Sequence, residues 1–269
     1  MEKMTLGDRC KALESAEADR RAMPALPLLA RLDGRAFHTF TRGLPRPYDE
    51  RLTRCLIETT AHLVGSFEAR VGYTQSDEIT LLWWEPERQV GRYPFDGRYQ
   101  KLASVLAGSA SAFFARIVAE AIPQKRSELP CFDGRVWQVP TLDDALEVFV
   151  WREDDATKNS ISMAASAFYS TEELEGVVSS EKHDLLHRKG VNWNDYPSSF
   201  KRGTYVQRRT MQRALSEADR LRIPEPHRPA PGHLFERSEV VALDLPPIRR
   251  VGNALEVLLN GATPTTREE

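Results

Sequence analysis

Two aspartates are the residues whose type and context could do chemistry: Asp33, in Leu32-Asp33-Gly34-Arg35, and Asp77, in Gln75-Ser76-Asp77-Glu78. Two carboxylates brought to one place repel each other unless a cation neutralises them, and magnesium takes carboxylate oxygens, water and substrate phosphates as ligands. Phosphoryl-transfer enzymes use such a pair to hold metal ions ~3.5–4 Å apart on the attacking and leaving oxygens. The run Asp33-Gly34-Arg35-Ala36-Phe37-His38 has the composition of a triphosphate cradle, because a glycine turn exposes successive backbone N–H groups and Arg35 adds a fixed positive charge. Glu78 is a third acid beside Asp77. Strand alternation turns it to the opposite face, so a supporting role is expected for it.

These residues can meet only if the elements around them bring them together. Leu28 to Leu32, closed by Asp33-Gly34, reads as a buried strand entering a tight turn. Tyr48 to Phe67 carries Leu52, Leu56, Leu63 and Phe67 at helical spacing. Arg70–Tyr73 and Ile79–Trp84 read as strands joined by a short turn, and a loop from Glu85 to Arg98 leads to a helix striped with Leu102, Leu106, Phe113 and Ile117. Phe132 to Val139, with Asp133-Gly134, reads as a further strand or hairpin. The resulting order is strand, helix, strand, strand, helix, strand, the split βαβ or ferredoxin-like arrangement of an α+β protein. In that arrangement the end of the first strand and the turn between the second and third share an edge, and Asp33 and Asp77 occupy those two places.

Around this unit the sequence predicts a surface helix from Thr5 to Met23, ended by Pro24 and Pro27. It also predicts a long helix from Leu142 to about Tyr169, a shorter one from Glu181 to Lys189 and a last strand at Val240–Leu245. Ile223 to Gly232 holds four prolines and reads as an extended connector, and the tail from Thr263 to Glu269 as disordered. Three segments follow: 1–140 as the catalytic domain with its N-terminal helix, 141–221 as a helical and basic region completing it, and 222–269 as connector and C-terminal extension.

Read together, Arg31-Leu32-Asp33-Gly34-Arg35-Ala36-Phe37-His38-Thr39-Phe40, Arg46-Pro47-Tyr48-Asp49, Tyr73-Thr74-Gln75-Ser76-Asp77-Glu78 and Trp151-Arg152-Glu153-Asp154-Asp155 resemble the tRNA-His guanylyltransferase family. The later Asn192-Trp193-Asn194 and Phe200-Lys201-Arg202-Gly203-Thr204 are similar to its asparagine and lysine-glycine-threonine motifs. The resemblance implies a ferredoxin-like palm domain, as in polymerases and cyclases, with additional helices and a C-terminal extension. It implies a nucleotidyltransferase that works in reverse, adding nucleotides to the 5′ end of tRNA in the 3′–5′ direction.

Carried over residue by residue, Asp33 and Asp77, with the Gly34 carbonyl, would bind two Mg2+ ions, and Glu78 would join them as a catalytic carboxylate. Backbone groups from Gly34 through Arg35, Ala36 and Phe37 to His38, together with Ser76, would hold GTP or ATP. Arg46 stands where the family has lysine and would remain a phosphate contact; Asp49 would be structural. Asn159, Lys201, Arg202, Arg208 and Arg209 are the expected RNA contacts, and a homotetramer is the implied assembly.

Where the family's eukaryotic members continue His-Ile-Asn-Asn-Leu-Tyr-Asn, this chain reads Thr157-Lys158-Asn159-Ser160-Ile161-Ser162-Met163. Tyr48 likewise replaces an asparagine. Both changes resemble the bacterial and archaeal guanylyltransferase-like proteins, for which template-dependent repair of 5′-truncated tRNA is characteristic. Non-templated guanosine addition and a noncatalytic nucleotide- or RNA-binding role on the same fold remain open alternatives.

Bulk composition sets the outer limits. A net charge of −2 argues against indiscriminate coating of nucleic acid, yet no acid occurs between Tyr196 and Ser216, where Lys201, Arg202, Arg208, Arg209 and Arg213 cluster. The three cysteines, Cys10, Cys55 and Cys131, have no paired spacing, so neither a disulfide framework nor a zinc site is expected, and a reducing cytoplasm fits. No signal peptide is expected, nor a membrane partner, since no apolar run reaches the ~20 residues a spanning helix needs. His183 and His187, four apart, read as part of a surface helix, and of Trp83 and Trp84 one is expected in the core.

Overall fold

The protein is described here by a computed structural model covering residues 4–84 and 93–267. Its helices are α1 (Leu6–Ala18), α2 (Phe37–Phe40), α3 (Glu50–Ser66), α4 (Tyr99–Ala121), α5 (Leu142–Ala165), α6 (Thr171–Leu174), α7 (Ser179–Arg188), α8 (Ser198–Arg202), α9 (Glu217–Arg222) and α10 (Ala254–Asn260). Its strands are β1 (Leu28–Gly34), β2 (Val71–Gln75), β3 (Glu78–Trp83), β4 (Phe132–Gln138), β5 (Thr204–Ala214) and β6 (Leu234–Leu243). They form one antiparallel sheet in the order β4-β1-β3-β2-β5-β6. The first four strands therefore stand in split βαβ order, within an α+β architecture.

Strand alternation divides the core in two. Leu28, Ala30 and Leu32 of β1 and Ile79, Leu81 and Trp83 of β3 point to one face and pack with Leu56 and Leu63 of α3 and Leu106 and Phe114 of α4. Leu29, Leu82, Val71, Tyr73 and Tyr205 point to the other, against Phe149 of α5 and Val257 and Leu258 of α10. Local signals start the helices at the expected places: Asp49 caps α3 by accepting from the Arg51 amide at 2.9 Å, and Thr141 and Asp144 form a capping box on α5.

Several expectations need correction. The buried stripe of α4 is Leu102, Leu106, Ala110, Phe114 and Val118, one residue on from Phe113 and Ile117, which are half-buried. Phe113 instead stacks on His62, with ring centroids 4.2 Å apart. By length and hydropathy α4, with 23 residues, could cross a membrane, which the reading by apolar runs missed; its buried stripe packs on β4 and α3 as a core helix does. Asp133-Gly134 lies inside β4 and makes no hairpin. Gly134 is needed there because a Cβ would come within 2.7 Å of the Ala103 carbonyl.

The first helix ends at Ala18, short of Pro24, and buries none of its residues. The last strand begins at Leu234, six residues earlier than expected, because it pairs with β5 from Tyr205 to Ala214, a strand that the basic composition of 201–213 concealed. The tail is pinned as far as the structure describes it. Val251 bridges to Thr266, and the Arg267 amide donates to the Arg250 carbonyl at 2.8 Å. Of the expected loop 85–98, residues 85–92 lie outside the described residues.

Candidate active site

Asp33 is the penultimate residue of β1, opposite Glu78 on β3 and Asp133 on β4. Asp77 sits in the two-residue turn between β2 and β3, and the Gly34 amide donates to its carbonyl at 3.0 Å. The sheet thus brings the two aspartates to one edge. Ser76 takes a positive φ of 48° in the turn, and its hydroxyl donates to Asp77 Oδ1 at 3.0 Å. Burial pushes the Asp77 carboxyl above its ordinary range, against the lowering effect of its own amide and of Ser76, and the charge of Asp33 adds to the rise. A cation between the two would relieve that repulsion. Among the described residues no group of three or more His, Cys, Asp or Glu side chains is set to hold a metal. Two carboxylates alone suit an ion that takes its remaining ligands from phosphate and water, as magnesium does, so the residues present fit it.

Behind Asp33 the chain turns sharply. Phe37 folds back over Gly34 so closely that a Cβ there would lie 2.2 Å from its ring. The amides of Gly34 and Arg35 are spent on the carbonyls of Asp77 and Cys131, which narrows the expected cradle. The next three, of Ala36, Phe37 and His38, have no hydrogen-bond partner among the described residues, and Ala36 holds a left-handed φ of 54°. Three successive free amides around such a residue make a concave donor surface for an anion. Arg35 and His38 are exposed beside it.

Arg46 is exposed in the loop before α3. Tyr48, two residues on, stacks on Phe200 at 4.8 Å and meets Tyr196 edge-on at 6.0 Å, so the replacement of asparagine there is an aromatic tie to α8. Glu78 forms an ion pair with Arg152 of α5, which is 5% exposed and also reaches Asp155 at 3.3 Å. The sequence names Arg152 only as part of a motif. No local signal links residues 74 positions apart in the chain.

The basic residues do not form one surface. Consecutive residues of a strand point to opposite faces, so Arg208 donates to the Gly65 carbonyl of α3 at 2.8 Å while Arg209 donates to Gln207 beside Gly261 at the end of α10. Arg202 turns inward to Glu153 at 3.7 Å and the Leu245 carbonyl, and Lys201 donates to the Asn194 carbonyl and lies over Trp193. Asn159 is exposed on α5 and donates to Asp155. His183 meets Trp193 edge-on and His187 is exposed on α7. Trp83 is buried and Trp84 half-buried.

A cavity of about 370 Å³ lies between α5, α8 and the segment after β6, and neither Asp33 nor Asp77 lines it. Its floor is Glu153, buried, accepting from Tyr205 Oη at 3.0 Å and from the Ile248 amide at 3.1 Å. Burial pushes this carboxyl up to about 7 in spite of those donors and of Arg202.

A sheet edge that gathers two carboxylates beside a run of free amides is an arrangement able to bind a phosphate through a cation and backbone donors. The family model for tRNAHis guanylyltransferase matches residues 8–140. A bacterial tRNA(His) guanylyltransferase-like protein in complex with ATP is 36% identical, with 76% of this chain and 88% of that one covered and a TM-score of 0.71. Another, in complex with GTP, is 30% identical, with 91% and 94% covered and a TM-score of 0.70. The probable tRNA(His) guanylyltransferase of Drosophila melanogaster is 24% identical, with 97% of this chain and 96% of that protein covered. The chain belongs to the tRNA(His) guanylyltransferase family and is a nucleotidyltransferase.

Proposed function

We propose that this protein adds nucleotides to the 5′ end of tRNA in the 3′–5′ direction, from a palm-type site, and that it copies the opposite strand of the acceptor stem to repair 5′-truncated tRNA. The observation that carries the reading is the meeting of Asp33 and Asp77 at one sheet edge beside the free amides of Ala36, Phe37 and His38. Asp33, Asp77 and the Gly34 carbonyl would hold two magnesium ions, which supply Lewis-acid stabilisation of the phosphate oxygens. The free amides, Ser76, Arg35 and Arg46 bind the triphosphate of GTP or ATP, the nucleotides bound in the two bacterial relatives. Glu78, held by Arg152, positions the turn that carries Asp77. Asn159, Lys201, Arg208 and Arg209 contact RNA phosphates.

The repair reading follows from the segment Thr157–Met163, which lacks the histidine of the eukaryotic pattern while the carboxylates remain. Template copying lets the pairing base select the nucleotide, so the protein need only hold triphosphate and RNA backbone. The test uses tRNA lacking its first nucleotide, with the template base changed. The added nucleotide should change to its Watson–Crick partner, and guanosine added regardless, to tRNA-His alone, would replace this reading with non-templated addition. Asp33→Asn and Asp77→Asn should each lower transfer by at least about a hundredfold in folded protein. A folded double variant with near-normal turnover would remove the carboxylates from the chemistry. A cytoplasmic homotetramer is the assembly we propose, to be measured by sedimentation.

A further inference from the structure

Trp151 is the most exposed aromatic side chain among the described residues, at 55%. It lies on α5 beside the buried Arg152, whose guanidinium sits 4.7 Å from the ring centroid, and the Arg31 guanidinium approaches the same ring to 6.0 Å. Two cations therefore brace the indole while more than half of it stays open to solvent. Leu29 of β1 packs under α5, so alternation puts Arg31 and Asp33 on that same face, about 7 Å apart along the strand. The Arg31 Nε is buried and has no hydrogen-bond acceptor among the described residues. Arg31 lies one strand repeat from Asp33, so the open indole of Trp151 is braced by arginines on the face of the sheet that carries this carboxylate.

We propose that Trp151 is a stacking shelf for an unpaired nucleobase next to Asp33, fixing the end of the RNA or the incoming nucleotide; this rests on the nucleotidyl-transfer reading of the site. Stacking on an aromatic face tolerates every base, as an enzyme that fills different vacancies requires. The cationic surround favours a nucleic-acid end over an apolar protein partner, because adjacent phosphate offsets the charge of Arg31.

The test is binding, not turnover, so it stands apart from the aspartate variants. Trp151→Ala and Trp151→Phe in the full chain are compared with the parent by anisotropy on labelled tRNA lacking its first nucleotide, and by calorimetry with GTP and with ATP alone. Trp151→Ala should weaken one of the two ligands between about fivefold and about a hundredfold, and Trp151→Phe should keep most of the affinity. Loss confined to the RNA assigns the shelf to the RNA end. Loss confined to the triphosphates assigns it to the incoming base. Unchanged affinity for both overturns the proposal, as does a Trp151→Ala variant that alters only the sedimentation of the protein, which would make Trp151 a contact between chains.

Discussion

Replacing Glu153 by glutamine should flatten the pH dependence of stability, and its size follows from the surroundings of the carboxyl. Glu153 is 5% exposed, and burial lifts its pKa from an ordinary 4.5 to about 7 although Ile248, Tyr205 and Arg202 all favour the charged form. Between those two values the folded protein holds the proton more tightly than the unfolded chain. Stability therefore falls as pH rises through the window, and the cost is fully present above about 7. Integrating from about pH 5 to about pH 8, the parent should lose about 2.5 kcal/mol that Glu153→Gln does not lose. For a chain of this size that is roughly 5 to 10 °C of melting temperature. Glutamine keeps an oxygen for the Ile248 amide, so the comparison isolates charge from shape. The assay is urea unfolding of both proteins at a series of pH values. Parallel curves would show that Glu153 is ionised throughout and that Arg202 outweighs burial.

Other expectations rest on equally local geometry. Gly34→Ala should destabilise by about 1 to 3 kcal/mol and depress transfer, since its Cβ would lie 2.2 Å from the Phe37 ring; thermal melts with a single-turnover assay check both. Arg152→Met leaves Glu78 without its cation and should cost about 3 kcal/mol by urea unfolding, while adding Glu78→Gln should restore most of that loss, a coupling absent if the pair is incidental. Arg208→Gln with Arg209→Gln should weaken tRNA binding and reduce the steepness of its salt dependence. An unchanged slope across a salt series would mean that neither meets phosphate.

The framework was legible where a residue's role depends on its near neighbours. The short apolar run of Leu28–Leu32, the helical spacing around Leu56 and Leu63, and the turn at Ser76-Asp77 together imply the strand order, and the strand order implies the shared edge of Asp33 and Asp77. What stayed hidden depends on residues distant in sequence. Arg208 and Arg209 read as one basic patch until β5 turned them to opposite faces, and past the buried Tyr205 and Val206 the strand is mostly polar and has no apolar alternation to announce it. Arg152 is only one residue of a motif, and Glu78 only a third acid beside Asp77, until α5 is laid across the sheet and pairs them. The free amides of Ala36 to His38 were foreseen as a group. That Gly34 and Arg35 drop out of it could not be, because their acceptors come from distant segments, Asp77 in the β2–β3 turn and Cys131 just before β4.

The late Lys-Gly-Thr segment also has a job that its composition does not suggest. Gly203 holds a φ of 76°, and a Cβ there would lie 2.5 Å from the Thr74 carbonyl and 2.6 Å from the Tyr73 hydroxyl. That hydroxyl donates to the Arg202 carbonyl at 2.6 Å, and from Thr204 onward the chain pairs with β2. Lys201-Arg202-Gly203-Thr204 therefore clamps the strand that ends two residues before Asp77. Arg202 spends its guanidinium on Glu153 and Leu245, which ties the same clamp to the C-terminal segment. A glycine-threonine pair directly after two cations looks like a phosphate site in one dimension. In three, its glycine is the only residue small enough to let α8 close against β2, the strand that leads into the turn of Asp77.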